Sequence, residues 1–339
     1  MKTLQEHTVS FSGLGLLEYS PEAYKNYILN PNNEETSYFN QGSALDCLIT
    51  EGSDEFTKKF VISSVDLPSG MMGEFVKAYL FAKTNELTED QCLQLAYDNS
   101  GYKLGFEAVI KKFQMPEIQE FVKFSIDSAD KTILSEEEWQ TVSKMHSMLV
   151  TSPTSMELMQ SGEDFLLQET HNQVEFHYPY KLKSGKQYTM HGSIDRIIIN
   201  HHNKVIQPLD LKTTGKSVYS FPSSYIKYAY YRQAAIYMLA VHHMYVDLLQ
   251  EGYTVNPFLF VVAERACKNM PLTYRVSGQD LYAGAHGGLI DGTNKPVKGF
   301  VNLLEELQWH QDNDEWSIKK EIKQNGNIID LKLLCKNGN

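Results

Sequence analysis

Cysteine is scarce in this sequence, and the few cysteines are widely spaced. Cys47, Cys92, Cys267 and Cys335 form no CxxC pair. This spacing is typical neither of a zinc ribbon nor of a compact disulfide framework. Scattered reduced thiols indicate a cytoplasmic protein.

Long apolar runs are also missing. No uninterrupted apolar stretch approaches the roughly 20 residues that span a bilayer. Residues 1–7 are polar from the second position onward, apart from one leucine, and lack the apolar core of a signal peptide. No internal repeat or low-complexity linker divides the chain, so we expect one domain over 1–339 with no membrane partner.

Positive charge is in deficit, with a net charge of -11 and a pI near 5.5. Nonspecific coating of nucleic acid rests on many cationic contacts to phosphate, so this balance argues against it. Any nucleic-acid site must therefore be local.

Helical signals dominate the first half of the chain. Pro21 lies near the start of a predicted helix, and a second helix follows Gly42 with Ala44, Leu45, Leu48 and Ile49 on its apolar side. The segment from about 70 to 152 is predicted to be a helical insertion, with capping boxes that begin at Thr88 and Ser135.

Strand signals follow over about 165–265, the predicted core. Segments 174–178, 188–199 and 205–213 are rich in β-branched and aromatic residues and are separated by turn residues, which predicts an antiparallel meander. A long helix from Ser223 or Ser224 to Gly252 and a buried strand at 258–262 come next. Residues 270–339 are predicted to be mainly helical, around Leu281 and 301–309. The pattern predicts an α/β fold with a central mixed sheet flanked by helices.

Two strand residues suggest chemistry. Because alternate side chains of a strand share a face, Asp210 and Lys212 project together. If the meander strands pair through the turn at 201–203, Asp195 lies near Asp210. Magnesium is commonly held by one or two carboxylates and keeps several waters, so the acid pair suits it. Lys212 would then orient an attacking water and stabilise a pentacovalent phosphorane.

A lone DxK triplet is more often an ion-paired strand end than a catalytic site. The context favours chemistry here, because a second acid precedes it and a helix with its own polar pair follows. Gln233 and Tyr237 are four residues apart on that helix and share a face with Tyr230. An inward glutamine needs hydrogen-bond partners.

These motifs resemble a known family. Asp46 in Gly-Ser-Ala-Leu-Asp, Asp195 in Gly-Ser-Ile-Asp-Arg, Asp210-Leu-Lys212-Thr-Thr and Tyr230-Tyr-Arg-Gln233-Ala-Ala-Ile-Tyr237 together look like the motif set of RecE-type (exonuclease VIII-like) phage exonucleases. These are relatives of lambda exonuclease and RecB-like nucleases in the PD-(D/E)XK superfamily. The resemblance covers roughly residues 8 to 265.

The resemblance implies roles for individual residues. Asp195 and Asp210 would be metal ligands with the Leu211 carbonyl as a third, Lys212 the catalytic lysine, and Gln233 and Tyr237 the supporting motif. Asp46 stands where the family usually has histidine, so the first metal position is an acid here, which magnesium accepts. Manganese is a possible substitute.

The resemblance also implies partners and a context. It implies 5′ to 3′ hydrolysis of linear double-stranded DNA in phage-type recombination, with a single-strand annealing protein as partner and a ring-shaped homo-oligomer in the bacterial cytoplasm. Some RecB-like nucleases hold an iron–sulfur cluster through one cysteine before the motifs and three after. Only Cys267 and Cys335 follow them here, so no cluster is expected.

Two alternatives stay open. The same metal site serves endonucleases and repair nucleases of other polarity. Asp46 could also mark a decayed site in a non-enzymatic DNA-binding or assembly protein. Among the cations, Lys216, Lys227 and Arg232 lie nearest the motifs in sequence and, with Tyr230, are the candidate DNA contacts.

Overall fold

The computed structural model describes Leu4 and residues 8–30, 37–85, 87–159 and 167–329. For residues 37–39 it describes the backbone alone. It divides into two compact units. The first consists of Met1–Glu34 and Met148–Asn339, and the second of Glu35–Ser147. The predicted insertion at about 70–152 falls largely within the second unit, which begins earlier. The assignment of the whole chain to one domain stays a prediction.

The helices lie in both units. They are α1 (Phe11–Tyr19), α2 (Pro21–Leu29), α3 (Ser37–Thr50), α4 (Ser53–Lys59), α5 (Gly70–Thr84), α6 (Glu89–Asn99), α7 (Phe106–Phe113), α8 (Pro116–Asp127), α9 (Glu136–Thr151), α10 (Met156–Met159), α11 (Phe221–Lys227), α12 (Tyr230–Met244), α13 (Val246–Gln250), α14 (Gly278–His286), α15 (Phe300–Asn313) and α16 (Lys320–Gln324), with a 3-10 turn at Val218–Ser220. Within the described ranges, none of these helices is long and apolar enough to cross a membrane.

The strands are concentrated in the first unit. They are β1 (Thr8–Ser10), β2 (Phe60–Ile62), β3 (Thr132–Leu134), β4 (Gln168–Lys181), β5 (Gln187–Asn200), β6 (Val205–Thr214), β7 (Thr254–Val255), β8 (Leu259–Glu264), β9 (Leu272–Arg275), β10 (Gly288–Leu289) and β11 (Pro296–Val297).

A mixed sheet forms the centre of the first unit. Its strand order is β1-β5-β6-β8-β9, with β4 also paired to β5 and β7 to β6. The β4–β5, β5–β6 and β8–β9 pairs are antiparallel, whereas β1–β5 and β6–β8 are parallel. The predicted meander and the predicted α/β class with a mixed sheet are both confirmed.

The sheet packs against helices through a large apolar core. Aromatic rings from α12, from β8 and from the residue before β8 meet in it, with Tyr237 at 5.9 Å from Phe258 and Phe258 at 5.2 Å from Phe260, measured between ring centroids. The Tyr178 hydroxyl of β4 donates to the carbonyl of Ile236 at 3.2 Å. These contacts hold α12 over the sheet face on which Asp210 lies.

The long helix predicted from Ser223 or Ser224 to Gly252 is wrong, because the chain forms α11, α12 and α13 there. Ala229 adopts a left-handed conformation (φ 54°) and interrupts the helix after Lys227. Gly252, with φ 90°, does end the third piece as expected. After the break, α12 begins at Tyr230, three residues before Gln233.

The second unit is helical apart from a short parallel pair, β2–β3, which the sequence did not predict. Phe75, Val76, Tyr79 and Phe113 are central in its core. The capping box at Thr88 is confirmed. At the second predicted box, Glu138 donates its N–H to Ser135 Oγ and its carboxylate accepts from the Ser135 N–H. Local capping signals were therefore reliable here.

Candidate active site

The site begins where two strands separate. β5 and β6 pair from Asn200 with Val205 to Arg196 with Leu209. Beyond that pair, β5 is joined by β1, while residues 209–214 of β6 are joined by β8. Ile197 and Pro208 are opposite each other in that pairing and share a face of the sheet, and Asp195 and Asp210 lie two residues beyond them on their strands. Because alternate side chains of a strand share a face, both acids lie on that same side of the sheet.

Asp195 fills the gap that the strand separation leaves. Its Oδ2 accepts a hydrogen bond from the main-chain N–H of Leu211 at 2.7 Å. A side-chain carboxylate thus replaces the main-chain partner that β5 no longer supplies. The N–H and C=O of a strand residue point to the same side, so the Leu211 carbonyl is directed toward Asp195 as well.

Asp210 and Lys212 form a buried ion pair on that face. The Lys212 Nζ lies 2.6 Å from Asp210 Oδ2, and the two side chains are 21% and 2% exposed. The ammonium also lies 4.9 Å from the ring centroid of Tyr230 and 5.9 Å from that of Phe260. The lysine is therefore enclosed by a carboxylate and two aromatic faces.

Burial and charge set the pKa values of this pair. Burial raises the pKa of Asp210, and the Lys212 ammonium and the Gln233 amide oppose that rise. Burial alone would lower the pKa of Lys212, but the charges of Asp210 and Asp195 outweigh it and raise that pKa. Lys212 consequently stays cationic across the physiological range.

Helix α12 supplies the predicted polar pair. The Nε2 of Gln233 donates to Asp210 Oδ1 at 2.8 Å. Tyr237, one turn later, packs its ring edge-on against Phe176. Burial, and then the charge of Asp210, raise the pKa of the Tyr237 phenol, so it remains protonated. Gly192 allows this packing, since a Cβ there would lie 2.9 Å from the Phe176 ring.

The donor set has the chemistry that a hard cation requires. Two carboxylates, Asp195 and Asp210, lie on one sheet face beside a main-chain carbonyl, which is compatible with an ion that keeps several waters. Among the described residues, no three His, Cys, Asp or Glu side chains form a metal-binding group. A closed structural zinc site of the usual four ligands is therefore not what these residues offer.

Asp46 and the cysteines belong to other elements of the chain. Asp46 is on α3 of the second unit, where its carbonyl accepts from Thr50 Oγ1 at 2.7 Å. Its metal-binding role stays a proposal. Cys47 and Cys92 are buried in that same unit, and Cys267 follows β8 in the first. Cys335 lies outside the described residues, so the expectation of no iron–sulfur cluster also stays a prediction.

The candidate DNA contacts fall into different environments. Lys216 is exposed just after β6, and Lys227 is exposed at the end of α11 with its Nζ 5.2 Å from the Tyr228 ring centroid. Tyr230 is half-buried and stacks on Phe221. The first two can reach a ligand from solvent, while Tyr230 contacts Lys212.

Arg232 differs from the expected phosphate contact. Its side chain is fully buried, and its Nη2 donates to Glu18 Oε2 and to the Lys298 carbonyl, both at 2.9 Å. A guanidinium out of solvent and paired with a carboxylate is not a surface contact for phosphate. Arg232 instead ties the start of α12 to α1 and to the segment before α15.

The sequence patterns did not indicate a role for Gln173. It lies in β4 between Asn172 and Val174, which pair with Arg196 and Ile194 of β5, and its φ is 48°. A non-glycine residue in the left-handed region is uncommon within a strand. Its Oε1 accepts from Ser193 Oγ at 3.3 Å. Strand periodicity carries no signal for such a conformation, since glutamine is compatible with a regular strand.

Glu264 was also missed. It ends β8 and is buried, and it accepts hydrogen bonds from the N–H groups of Val218, Lys268 and Asn269. The carboxylate thereby holds the chain that follows β6 against the chain that follows β8. An acid placed directly after the apolar residues 258–263 was the available signal.

Some solved structures are similar to this chain at low sequence identity. No family model matches the chain, and no curated protein matches its sequence. A crystal structure of a candidate exonuclease from Eubacterium rectale is similar at 12% identity and a TM-score of 0.43, over 95% of this chain and 83% of that one. The structure of SSO0001 is similar at 11% identity and a TM-score of 0.25, over 82% and 87%. Neither likeness identifies a function for this chain.

Proposed function

We propose that this chain is a metal-dependent deoxyribonuclease of the PD-(D/E)XK type. One observation carries the proposal: Asp195 and Asp210 stand on one face where β5 and β6 separate, with the Lys212 Nζ 2.6 Å from Asp210. Two acids and a permanently cationic lysine at a strand separation are what metal-assisted phosphodiester hydrolysis requires.

Asp195, Asp210 and the Leu211 carbonyl are the groups that would hold the metal. Magnesium fits this oxygen donor set, and manganese is the expected substitute. When bound, the ion would lower the pKa of its water and offset negative charge on the reacting phosphate. Asp46, from the second unit, is proposed as an additional ligand in place of the family's histidine.

Lys212 is proposed to act by charge. Because its pKa is raised, its ammonium stays protonated and can orient the attacking water and stabilise the charge of the pentacovalent phosphorus. It is therefore not the base in this scheme. The attacking water would give up a proton to bulk solvent as its oxygen forms the new P–O bond, the P–O bond to the leaving strand would break, and the leaving oxygen would take up a proton from solvent.

Gln233 and Tyr237 would support the acids. The Gln233 amide fixes one oxygen of Asp210, which leaves the other directed to Lys212. Tyr237 stays a neutral phenol packed behind the site. Both residues would hold the ligand geometry rather than exchange protons.

The motif resemblance favours a finer assignment. It supports a RecE-type exonuclease that acts on linear double-stranded DNA from 5′ to 3′, with a single-strand annealing protein as partner and a ring of subunits around DNA. It also places the protein in the bacterial cytoplasm with a phage or prophage origin. Lys216 and Lys227, both exposed, are the proposed phosphate contacts.

End-labelled DNA tests the proposal. Purified protein is incubated with linear duplex labelled at one 5′ or one 3′ end and with closed circular duplex, in Mg²⁺, Mn²⁺ or EDTA. We expect metal-dependent release of the 5′ label with the circle left intact. Cleavage of the circle would instead identify an endonuclease, and release of the 3′ label first would reverse the polarity.

Two variants separate an active site from a decayed one. Lys212→Ala should abolish release, while Lys204→Ala, an exposed lysine at the opposite end of β6, should not. Isothermal titration with Mn²⁺ should show binding that Asp210→Ala loses. If wild type neither binds metal nor releases label, the chain is a non-enzymatic protein and the proposal is wrong.

A further inference from the structure

Gln173 interrupts the pairing of β4 with β5 directly beside a proposed metal ligand. The residues on either side of Gln173 pair with Arg196 and Ile194 of β5. Asp195 is the residue between those two, so Gln173 and Asp195 stand together between two pairs of the register. Gln173 has a φ of 48°, in the left-handed region. Such a residue has the effect of a bulge, because it bends the strand and interrupts regular pairing.

Fixed contacts hold the chain on both sides of this interruption. Arg196 is buried, and its Nε donates to Asn172 Oδ1 at 2.8 Å while its Nη1 donates to the Leu158 carbonyl at 2.8 Å. On the other side, Ile194 is buried in the core. A non-glycine residue stays in a sparsely populated backbone region only where its surroundings hold it there. These contacts are the surroundings that fix the backbone of Gln173.

The Asp195 side chain departs from regular strand geometry at the same level. Its Oδ2 accepts from the main-chain N–H of Leu211 at 2.7 Å. The N–H groups of a sheet point along the sheet toward the neighbouring strand, whereas the side chains of a regular strand stand roughly perpendicular to it. The Asp195 carboxylate must therefore lean toward β6 to reach that N–H.

We propose that the left-handed backbone of Gln173 positions the Asp195 carboxylate for the metal. With a negative φ, residue 173 would pair with β5 in the regular way. Asp195 would then stand upright from the sheet and would lose its bond to Leu211. Gln173 is thus a positioning residue that acts through Asp195, and it lies outside the motif set. Bulges next to active sites are known to re-aim a side chain in this manner.

This inference rests on the proposed nuclease function, because Asp195 is a metal ligand only in that function. The placement of Asp195 can nevertheless be observed without metal or DNA. The Leu211 N–H reports on it, since a hydrogen-bonded amide exchanges slowly with solvent.

Hydrogen exchange of the Leu211 amide tests the proposal in EDTA, followed by NMR on protein that carries isotope-labelled leucine. Asp195→Ala gives the exchange rate without the bond. Gln173→Val forces a negative φ, because β-branched residues avoid the left-handed region. Gln173→Gly and Gln173→Asn both permit a φ of 48°, the first without a side chain and the second with a shorter amide.

Lys204→Val is the matched control. Lys204 is also left-handed, with a φ of 52°, and it lies in the turn between β5 and β6. Valine there forces the same change of backbone at a position outside the site. The control therefore separates loss of stability from loss of the Asp195 placement.

We expect Gln173→Val to speed exchange of the Leu211 amide by about tenfold, to the rate of Asp195→Ala. The same variant should raise the Kd for Mn²⁺, measured by isothermal titration, by about tenfold. Gln173→Gly and Gln173→Asn should match wild type in both measurements. Lys204→Val should lower Tm and leave both measurements unchanged. If Gln173→Val fails to fold, the glycine and asparagine variants still decide the question.

Three outcomes would overturn the proposal. The first is a wild-type exchange rate in Gln173→Val. The second is fast exchange in Gln173→Gly, because the side chain and not the backbone would then hold Asp195. The third is an equal gain in Lys204→Val, because general destabilisation would then explain the effect. A chain whose Leu211 amide responds as expected but that neither binds metal nor cleaves DNA would refute the proposed function alone.

Discussion

Gln233 donates its side-chain amide to Asp210 at 2.8 Å, across a gap of 23 residues in the chain and from a helix to a strand. This bond connects the two motifs of the site, because Asp210 uses its other oxygen for Lys212. The orientation of the carboxylate thus depends on α12 being correctly placed over the sheet. Four predictions follow from this arrangement and its surroundings.

The fall of nuclease activity on the acid side of its pH profile should depend on Gln233. Burial raises the pKa of Asp210, and the hydrogen bond from Gln233 lowers it. Asp210 must be ionised to bind metal, so activity should fall as pH drops through a pKa above the ordinary value of about 3.9. Gln233→Leu removes the opposing bond and should move this limb upward by about one pH unit.

The measurement is kcat/KM against pH on a linear duplex. Gln207→Leu is the matched control. Gln207 lies on β6, the strand that carries Asp210, but its side-chain amide donates to the carbonyls of Pro208 and Pro257. An unchanged limb in Gln233→Leu would show that the amide does not influence the ionisation of Asp210.

Lys212 should be required for the rate, and its variants should keep the fold although they lose the stabilising ion pair with Asp210. Lys212→Ala removes the cation proposed to face the developing charge and should lower kcat by about 100-fold to 1000-fold. Lys212→Arg should restore part of the rate, because the charge returns with a different shape. Single-turnover cleavage measures the rate, and circular dichroism checks the fold.

Lys204→Ala should cleave at the wild-type rate, since Lys204 bonds to the carbonyl of Glu251 at the far end of β6. Equal rates for Lys212→Ala and wild type would remove the lysine from the mechanism.

The effects of Asp210 and Lys212 on the free energy of unfolding should be strongly coupled, because the two groups form an ion pair. Asp210→Ala leaves the Lys212 ammonium without its nearest counter-charge in a largely buried position, which should cost about 3 kcal/mol. Asp210→Ala/Lys212→Met removes both charges, so it should be more stable than the sum of the single changes by about 2 kcal/mol. Urea unfolding in EDTA measures this cycle. Additive effects would mean that the two groups do not stabilise each other.

The ionised Glu264 carboxylate should stabilise the fold at neutral pH, and this stabilisation should be lost in acid. Burial alone would raise the pKa of its carboxyl, but hydrogen bonds from Asn269, Lys268 and Val218 outweigh it and lower that pKa. A lowered carboxyl pKa stabilises the fold above the unfolded value of about 4.3, and the contribution is lost as pH falls through the folded pKa.

Glu264→Gln should therefore cost about 2 kcal/mol at pH 7, and this cost should shrink as pH falls from about 4.3 through the lowered folded pKa, when Tm is followed against pH. Glu251→Gln, an exposed position, should change Tm little at any pH. A loss that is the same at all pH values would show that packing, and not the charge, accounts for the role of Glu264.

The sequence alone determined which side chains share a face. Strand alternation put Asp210 beside Lys212, the helical repeat put Gln233 one turn before Tyr237, and the capping patterns at Thr88 and Ser135 marked helix starts. These features depend on backbone periods of two to four residues, so the residue order is enough to predict them. The α/β class followed from the same local patterns.

Only the tertiary structure decided where these elements meet. The separation of β5 from β6 at Arg196, the left-handed Ala229 that divides the predicted long helix, and the burial of Arg232 against Glu18 all arise from packing between distant segments. Such contacts depend on which surfaces exclude water together and which charges then need partners. Residues far apart in the chain share those surfaces, and no local pattern encodes that pairing.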